Sequence, residues 1–324
     1  MRIDPHVHFR DEEQDFKETI AHGLEVAKEQ GVDIVFDMPN TSRPILRVRD
    51  VRRRLDRVPP EGKGRYFMYI GATSDEDQLR EAAFLVNEFK EVVGIKLFAG
   101  KSTGDLAIIN QEDQKRVYKV LTEANYTGVI AVHCEKEEHM QDHFDPEDPK
   151  THATSRPKIA EIESVKDQVM FARQANFQGT LHICHVSCPE SVELIDNARH
   201  DMKITCGATP HHLLWDDSML SGLHGRLYKM NPPLRSKQDV EQLRECLKQN
   251  KIDWIETDHA PHTLGEKLHK GFPSGYPSLY LYKSFVEDFL PAIGIDEEQI
   301  KNLTSNNIIN TFNLETGGTN NGTY

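Results

Sequence analysis

The stretch Asp4-Pro5-His6-Val7-His8-Phe9-Arg10 decides how the chain is read. In an extended strand, residues two apart point to the same face, so His6 and His8 lie side by side, about 7 Å apart along the backbone. Asp4 and Arg10 share their parity, while Val7 and Phe9 take the opposite face, where an apolar layer can cover them. A His-x-His pair is common and could belong to a polar edge strand, so its meaning depends on the rest of the chain.

Working outward from that strand, which spans 2–9, short apolar runs alternate with helical patterns. Further strands are expected at 33–38, 65–72, 93–98, 129–134, 180–186, 203–208 and 253–258. Helices are expected at 16–30, 75–90, 111–125, 160–176, 189–199, 237–249 and 278–290, with two short helical segments to about 313. The segment 46–57 alternates Arg with Val and Leu and reads as a basic amphipathic helix with a solvated face. Residues 139–158 read as a polar surface loop beside a site, and 209–235 as a second long loop. Eight strands alternating with helices imply parallel pairing and fit a (β/α)8 TIM barrel. A doubly wound open sheet is the alternative, but no Gly-rich phosphate motif follows any strand. The barrel domain is expected over 1–314, and 315–324, rich in Gly, Asn and Thr, as a polar disordered tail.

Polar residues recur at the C-terminal ends of these strands: His6 and His8, Asn40, Lys96, His133, His185 and Asp258. In a barrel those ends meet at the face where active sites lie. Imidazole and carboxylate are the ligands that zinc favours in catalytic sites, and four histidines plus Asp258 exceed the needs of one ion, so two metals are plausible. Lys96 stands between Ile95 and Leu97, where burial favours the neutral amine; that amine can take up CO2 to give an anionic, two-oxygen carbamate ligand. His182, three residues before His185, competes with it as a ligand, and Lys101 is a weaker carbamate candidate than Lys96. His211 and His212 are expected to order a loop, and His259 to pack behind Asp258. The net charge of −13 argues against nucleic acid or an anionic membrane as the main partner. No apolar run approaches a membrane span and no signal-peptide pattern opens the chain; five cysteines without C-x-x-C suggest reduced thiols in a cytoplasmic protein.

Eight stretches together resemble the amidohydrolase superfamily and, within it, the dihydroorotase family. They are DPHVHFRD at 4–11, DMPNT at 37–41, GIKLF at 94–98, AVHCE at 131–135, CHVS at 184–187, TPHHL at 209–213, NPPLR at 231–235 and TDHAPH at 257–262. The resemblance implies two Zn2+ ions bridged by carboxylated Lys96 and a hydroxide. His6, His8, Lys96 and Asp258 would hold one ion, and Lys96, His133 and His185 the other. It implies that Arg10, Asn40, Asn231 and His262 bind the substrate carboxylate and ring. Asp258 is the expected catalytic base, then acid, in the reversible cyclisation of N-carbamoyl-L-aspartate to L-dihydroorotate in pyrimidine biosynthesis. The expected partner is thus a small molecule, with a homodimer left open. Hydantoinase and allantoinase share the metal site and are the nearest alternatives; a non-catalytic assembly partner is a third.

Three features depart from the family pattern. No accessory β-sandwich is expected, because the barrel pattern begins at residue 2 and the chain ends in a polar stretch. Glu256 shares parity with Asp258 and so needs an interior partner, expected to be a basic group lower in the barrel. GFPSGYPS at 271–278 matches the family's substrate loop only loosely.

Overall fold

A computed structural model describes residues 1–314 apart from Thr103 and Asp142; the expected polar tail at 315–324 lies outside the described residues. The eight expected strands are present: β1 (Ile3–Val7), β2 (Ile34–Asp37), β3 (Tyr66–Gly71), β4 (Val92–Ala99), β5 (Val129–Cys134), β6 (Thr180–Ile183), β7 (Ile204–Ala208) and β8 (Trp254–Ile255). They form one parallel sheet in sequence order. The ring closes through a parallel bridge between Val7 and His259, with the His8 N–H donating to His259 O at 2.7 Å. Asp4 reinforces the seam by accepting from the Thr257 N–H (3.0 Å) and Thr257 hydroxyl (2.5 Å). The architecture is a (β/α)8 barrel.

The face alternation read from the first strand holds. Val7 and Phe9 join the layer between barrel and helices. Phe9 packs so tightly on Gly23 of α1 (Ile20–Glu29) that a β-carbon there would meet the ring at 2.4 Å. That helix starts four residues later than its apolar pattern suggested, because Thr19 caps it by accepting from the His22 N–H at 3.1 Å. Deep in the barrel, Ile3, Phe36, Tyr69 and Trp254 make a separate apolar cluster. The helix Asn307–Phe312 closes it, with the Phe312 ring 5.0 Å from Phe36 and 5.9 Å from Trp254. One end of the barrel is thereby plugged with hydrocarbon, leaving the strand C-terminal ends as the polar mouth.

The basic helix α2 (Val48–Leu55) corrects the expectation of a wholly solvated charged face. Arg54 is fully buried. Its Nη2 lies 2.6 Å from Asp37 Oδ2 and donates to Phe9 O at 2.6 Å; Nη1 donates to Arg10 O at 3.0 Å. Tyr66 also donates to Asp37, at 2.6 Å, and the Phe9 N–H to its other oxygen at 2.9 Å. A buried guanidinium survives when its donors and charge are met this completely. The segment 139–158 likewise is more than a surface loop. It contains α5 (Thr151–Ser155), and buried His152 bonds to Met230 O at 2.8 Å.

Two strands stop three residues short of their expected ends. β6 ends at Ile183 rather than 186, and β8 at Ile255 rather than 258. Just beyond them, His185 (φ +38°) and Asp258 (φ +49°) adopt left-handed backbone conformations. Non-glycine residues hold such conformations where the surroundings enforce them, commonly at functional sites. Among the described residues no helix is long and apolar enough to cross a membrane.

Candidate metal centre and substrate cavity

The strand ends surround a narrow cavity. Its wall includes His6, His8, Lys96, His133, His185 and Asp258, all six of the expected ligands. The Nε2 atoms of His6 and His8 are 3.2 Å apart, and Asp258 Oδ1 lies 3.2 Å from the first and 2.9 Å from the second. His133 Nδ1 lies 3.1 Å from His185 Nε2. The His6 and His185 rings are 5.2 Å apart, so the two groups adjoin.

The hydrogen bonds behind the rings fix which nitrogens face the cavity. Asn40 Oδ1 lies 2.7 Å from His8 Nδ1; an amide oxygen only accepts, so Nδ1 carries the proton and Nε2 presents its lone pair. Glu135 Oε2, 3.0 Å from His133 Nε2, likewise directs the His133 Nδ1 lone pair inward. Glu135 is clamped by Arg156, whose guanidinium also donates to Lys101 O at 2.7 Å. Although burial works to raise it, the Arg156 charge and the His133 hydrogen bond hold the Glu135 carboxyl well below the usual carboxylate range. Burial pushes His8 down to about 4. Asp258 resists the upward push of burial and stays ionised through the His8 hydrogen bond and the His6 charge. The inward lone pairs of His8 and His133, beside the Asp258 carboxylate, suit a divalent cation.

Lys96 on β4 is fully buried, and its Nζ donates to Cys184 Sγ at 3.0 Å. Lys101 is exposed and pairs with Glu137 at 3.3 Å, away from this cluster. His182 and His185 stand at different depths in the barrel. His182 has both nitrogens engaged, with Glu256 Oε2 at 3.1 Å and Thr205 Oγ1 at 3.0 Å, and stacks on Trp254 deeper in the barrel. His182 is therefore the interior partner that Glu256 requires. Glu256 also accepts from Trp254 Nε1 at 3.0 Å and the His185 N–H at 2.5 Å. His212 bonds to Thr209 Oγ1 (2.8 Å) and Pro232 O (3.0 Å) and orders its loop, whereas both nitrogens of buried His211 lack a hydrogen-bond partner among the described residues. His259 packs behind the site against Glu18 at 3.1 Å.

Arg10, Asn40 and Asn231 line the same cavity. Asn231 Oδ1 is buried without a hydrogen-bond partner among the described residues. Arg10 Nε donates to Pro261 O at 3.1 Å, and its Nη2 lies 3.2 Å from His262 Nε2. His262 Nε2 is also 3.1 Å from Ser274 O, and Nδ1 is 3.2 Å from Lys17 Nζ. The Ser274 carbonyl calls for a proton on Nε2 and the Lys17 ammonium for a lone pair on Nδ1, whereas Arg10 Nη2, itself a donor, also faces Nε2. Burial and the surrounding cations hold His262 neutral, far below its ordinary value. Lys17, Glu135 and Arg156 were absent from the sequence-based site. Glu135 was within reach of the parity argument, being two residues beyond His133; Lys17 and Arg156 come from connecting segments that periodicity does not place.

A parallel barrel carrying this cluster at its C-terminal mouth is the architecture expected of the amidohydrolase superfamily. No protein-family model matches the chain. It is 32% identical over 295 residues to the dihydroorotase of Bacillus licheniformis, covering 86% of this chain and 66% of that protein. It is 29% identical over 323 residues to the Fusobacterium nucleatum dihydroorotase, covering 97% and 73%. The chain thus spans about two thirds of the length of the curated relatives it matches. Among solved structures, an L-hydantoinase from Arthrobacter aurescens aligns with a TM-score of 0.83 at 20% identity, over 96% of this chain and 70% of that one. A dihydroorotase from Saccharomyces cerevisiae aligns at 0.78 and 18%, over 98% and 85%. The chain belongs to the dihydroorotase family of the amidohydrolase superfamily.

Proposed function

We propose that the protein is a zinc-dependent dihydroorotase that interconverts L-dihydroorotate and N-carbamoyl-L-aspartate, the chemistry of pyrimidine biosynthesis. The observation that carries the reading is the pairing of a carboxylate-flanked histidine cluster with a buried arginine, Arg10, in one cavity. Hydantoins carry no carboxylate for such a cation to bind, and the hydantoinase likeness, at 20% identity, speaks to fold alone. The five cysteines are free and buried, which fits a reducing compartment such as the cytoplasm.

His6, His8 and Asp258 would hold one zinc ion and His133 and His185 a second, with Lys96, carboxylated by CO2, between them. The uptake replaces an N–H by an N–C bond and releases one proton. Bound metal would lower the pKa of water and polarise the ring carbonyl. The remaining work falls to the chain. Arg10, anchored at Pro261 O, presents its planar fork to the substrate carboxylate. Asn231 Oδ1 is placed to accept a ring or ureido N–H. His262 and Lys17 add positive potential beside Arg10. In hydrolysis, water adds its oxygen to the ring carbonyl carbon and the ring C–N bond breaks. Asp258 receives the proton from that water and delivers it to the departing nitrogen. Cyclisation reverses these transfers at the same carboxylate. Asn40 and Glu135 keep His8 and His133 in the tautomers that this arrangement needs.

The test is turnover of L-dihydroorotate, hydantoin and allantoin by the zinc-loaded protein, side by side. Hydrolysis of dihydroorotate alone is expected. Preferential turnover of hydantoin would overturn the carboxylate assignment, and inactivity on all three would favour a non-catalytic role.

A further inference from the structure

The strap at 272–275 reaches the cavity through Ser274 and Gly275. It lies close against the segment after β8: a β-carbon at Gly275 would meet Ala260 O at 2.6 Å. Each of its four carbonyls is bound by a side-chain donor. Lys229 Nζ donates to Phe272 O at 2.7 Å, and His262 Nε2 to Ser274 O at 3.1 Å. Lys267 Nζ donates to Pro273 O at 3.1 Å and Gly275 O at 2.8 Å. Its third donor goes to Lys229 O at 2.9 Å, which also accepts the Gly275 N–H at 2.9 Å.

Lys267 is an uncommon element. Its side chain is buried, yet among the described residues no carboxylate lies in ion-pair distance of it. Burial and the Lys229 charge push its amine down to about 7. A buried amine without a counter-ion is costly unless its donors are all used. Here three carbonyls take its three N–H bonds. The amine sits on α10 (Leu264–His269), whose N-terminal capping box joins Thr263 to Glu266. Glu266 in turn pairs with Lys17 at 2.8 Å. One short helix therefore links the strap, the Asn231 loop and the cationic flank of the cavity.

We propose that Lys267, assisted by Lys229, is a positioning residue that clasps the strap onto the substrate cavity and so sets substrate affinity. The inference rests on the reading of this cavity as the dihydroorotate site, and it is tested by two independent readouts. Zinc-loaded Lys267→Met is compared with the wild type by hydrogen exchange over residues 271–276, by metal content and by steady-state kinetics on dihydroorotate. Exchange in the strap should accelerate about tenfold or more with the rest of the chain unchanged, because local opening no longer breaks those bonds. Metal content should be unchanged, and KM should rise about tenfold or more with kcat held within about threefold, the signature of lost binding contacts. Lys267→Arg, whose planar fork cannot meet three converging carbonyls, should fall between the two. Lys229→Met removes the Phe272 contact and the stacking of the ammonium on the Phe144 ring, and gives the same comparison should Lys267→Met not fold. Unchanged strap exchange, or exchange accelerated throughout the chain with KM unchanged, would overturn the proposal. A wild type that does not turn over dihydroorotate would overturn the functional reading instead, leaving exchange to decide the clasp.

Discussion

Arg54→Met is the perturbation whose consequence follows most fully from the structure. The substitution keeps the apolar stem of the side chain but removes a guanidinium that meets Asp37, Tyr66, Phe9 O and Arg10 O at 2.6–3.2 Å. Asp37 is left fully buried with only the Tyr66 hydroxyl and the Phe9 N–H as donors. Breaking a buried pair from one side costs about 3–5 kcal/mol, because the surviving charge is uncompensated. At roughly 2–3 °C per kcal/mol for a chain of this size, Tm should fall by about 6–15 °C. Removing both charges, in Arg54→Met with Asp37→Leu, should recover at least half of that loss, since an apolar replacement leaves no orphaned ion. Urea unfolding of wild type, both single variants and the double variant closes the cycle. The consequence extends to function, because the lost carbonyl contacts belong to Phe9 and Arg10, at the end of the segment that carries His6 and His8. A loss under about 1 kcal/mol for Arg54→Met, the size of a surface ion pair, would refute the reasoning. So would a double variant no more stable than the single.

Arg10→Met should lower kcat/KM by about 2–5 kcal/mol through KM, as truncating a buried charged contact does, with metal content retained; near-normal kinetics would reopen the hydantoinase reading. Lys96→Ala should lose at least one metal and nearly all turnover, with partial rescue by short carboxylic acids plus zinc. Lys96→Arg should stay inactive, because guanidinium remains protonated; full activity of the alanine variant would remove the carbamate role. Gly207→Ala should destabilise by about 1–3 kcal/mol, the range for overpacking. The new β-carbon would stand 2.4 Å from Glu256 Cδ; a thermal scan matching wild type would show that Glu256 has room to move.

The barrel was legible because each strand is a short apolar run, six of them with a polar residue at or near the C-terminal end, and because parallel strands gather those residues at one mouth. The polar residues that line the cavity were legible for the same reason. Arg54 was not, since its inward turn depends on Asp37, a residue seventeen positions earlier that periodicity along α2 cannot sense. Asp37 held the available signal: a carboxylate ending the buried run Ile34-Val-Phe-Asp37 requires a cation. The partner of Glu256 and the competitor of His185 turned out to be one residue, His182. Strand parity could place Glu256 inside, but could not rank depth along β6. The ends of β6 and β8 were overrun because His185 and Asp258 leave strand geometry for positive φ. The strap at 272–275 depends on two lysines recruited from different loops. No local pattern announces that arrangement.

Under the proposed function, His6, His8, Lys96, His133, His185 and Asp258 together hold two metal ions. Elemental analysis of purified, fully active protein tests it most directly. Two divalent metals per chain are expected, with activity lost on chelation and restored as the second equivalent of zinc is returned. Full activity with one metal per chain, or activity that survives complete removal of metal, would contradict the account.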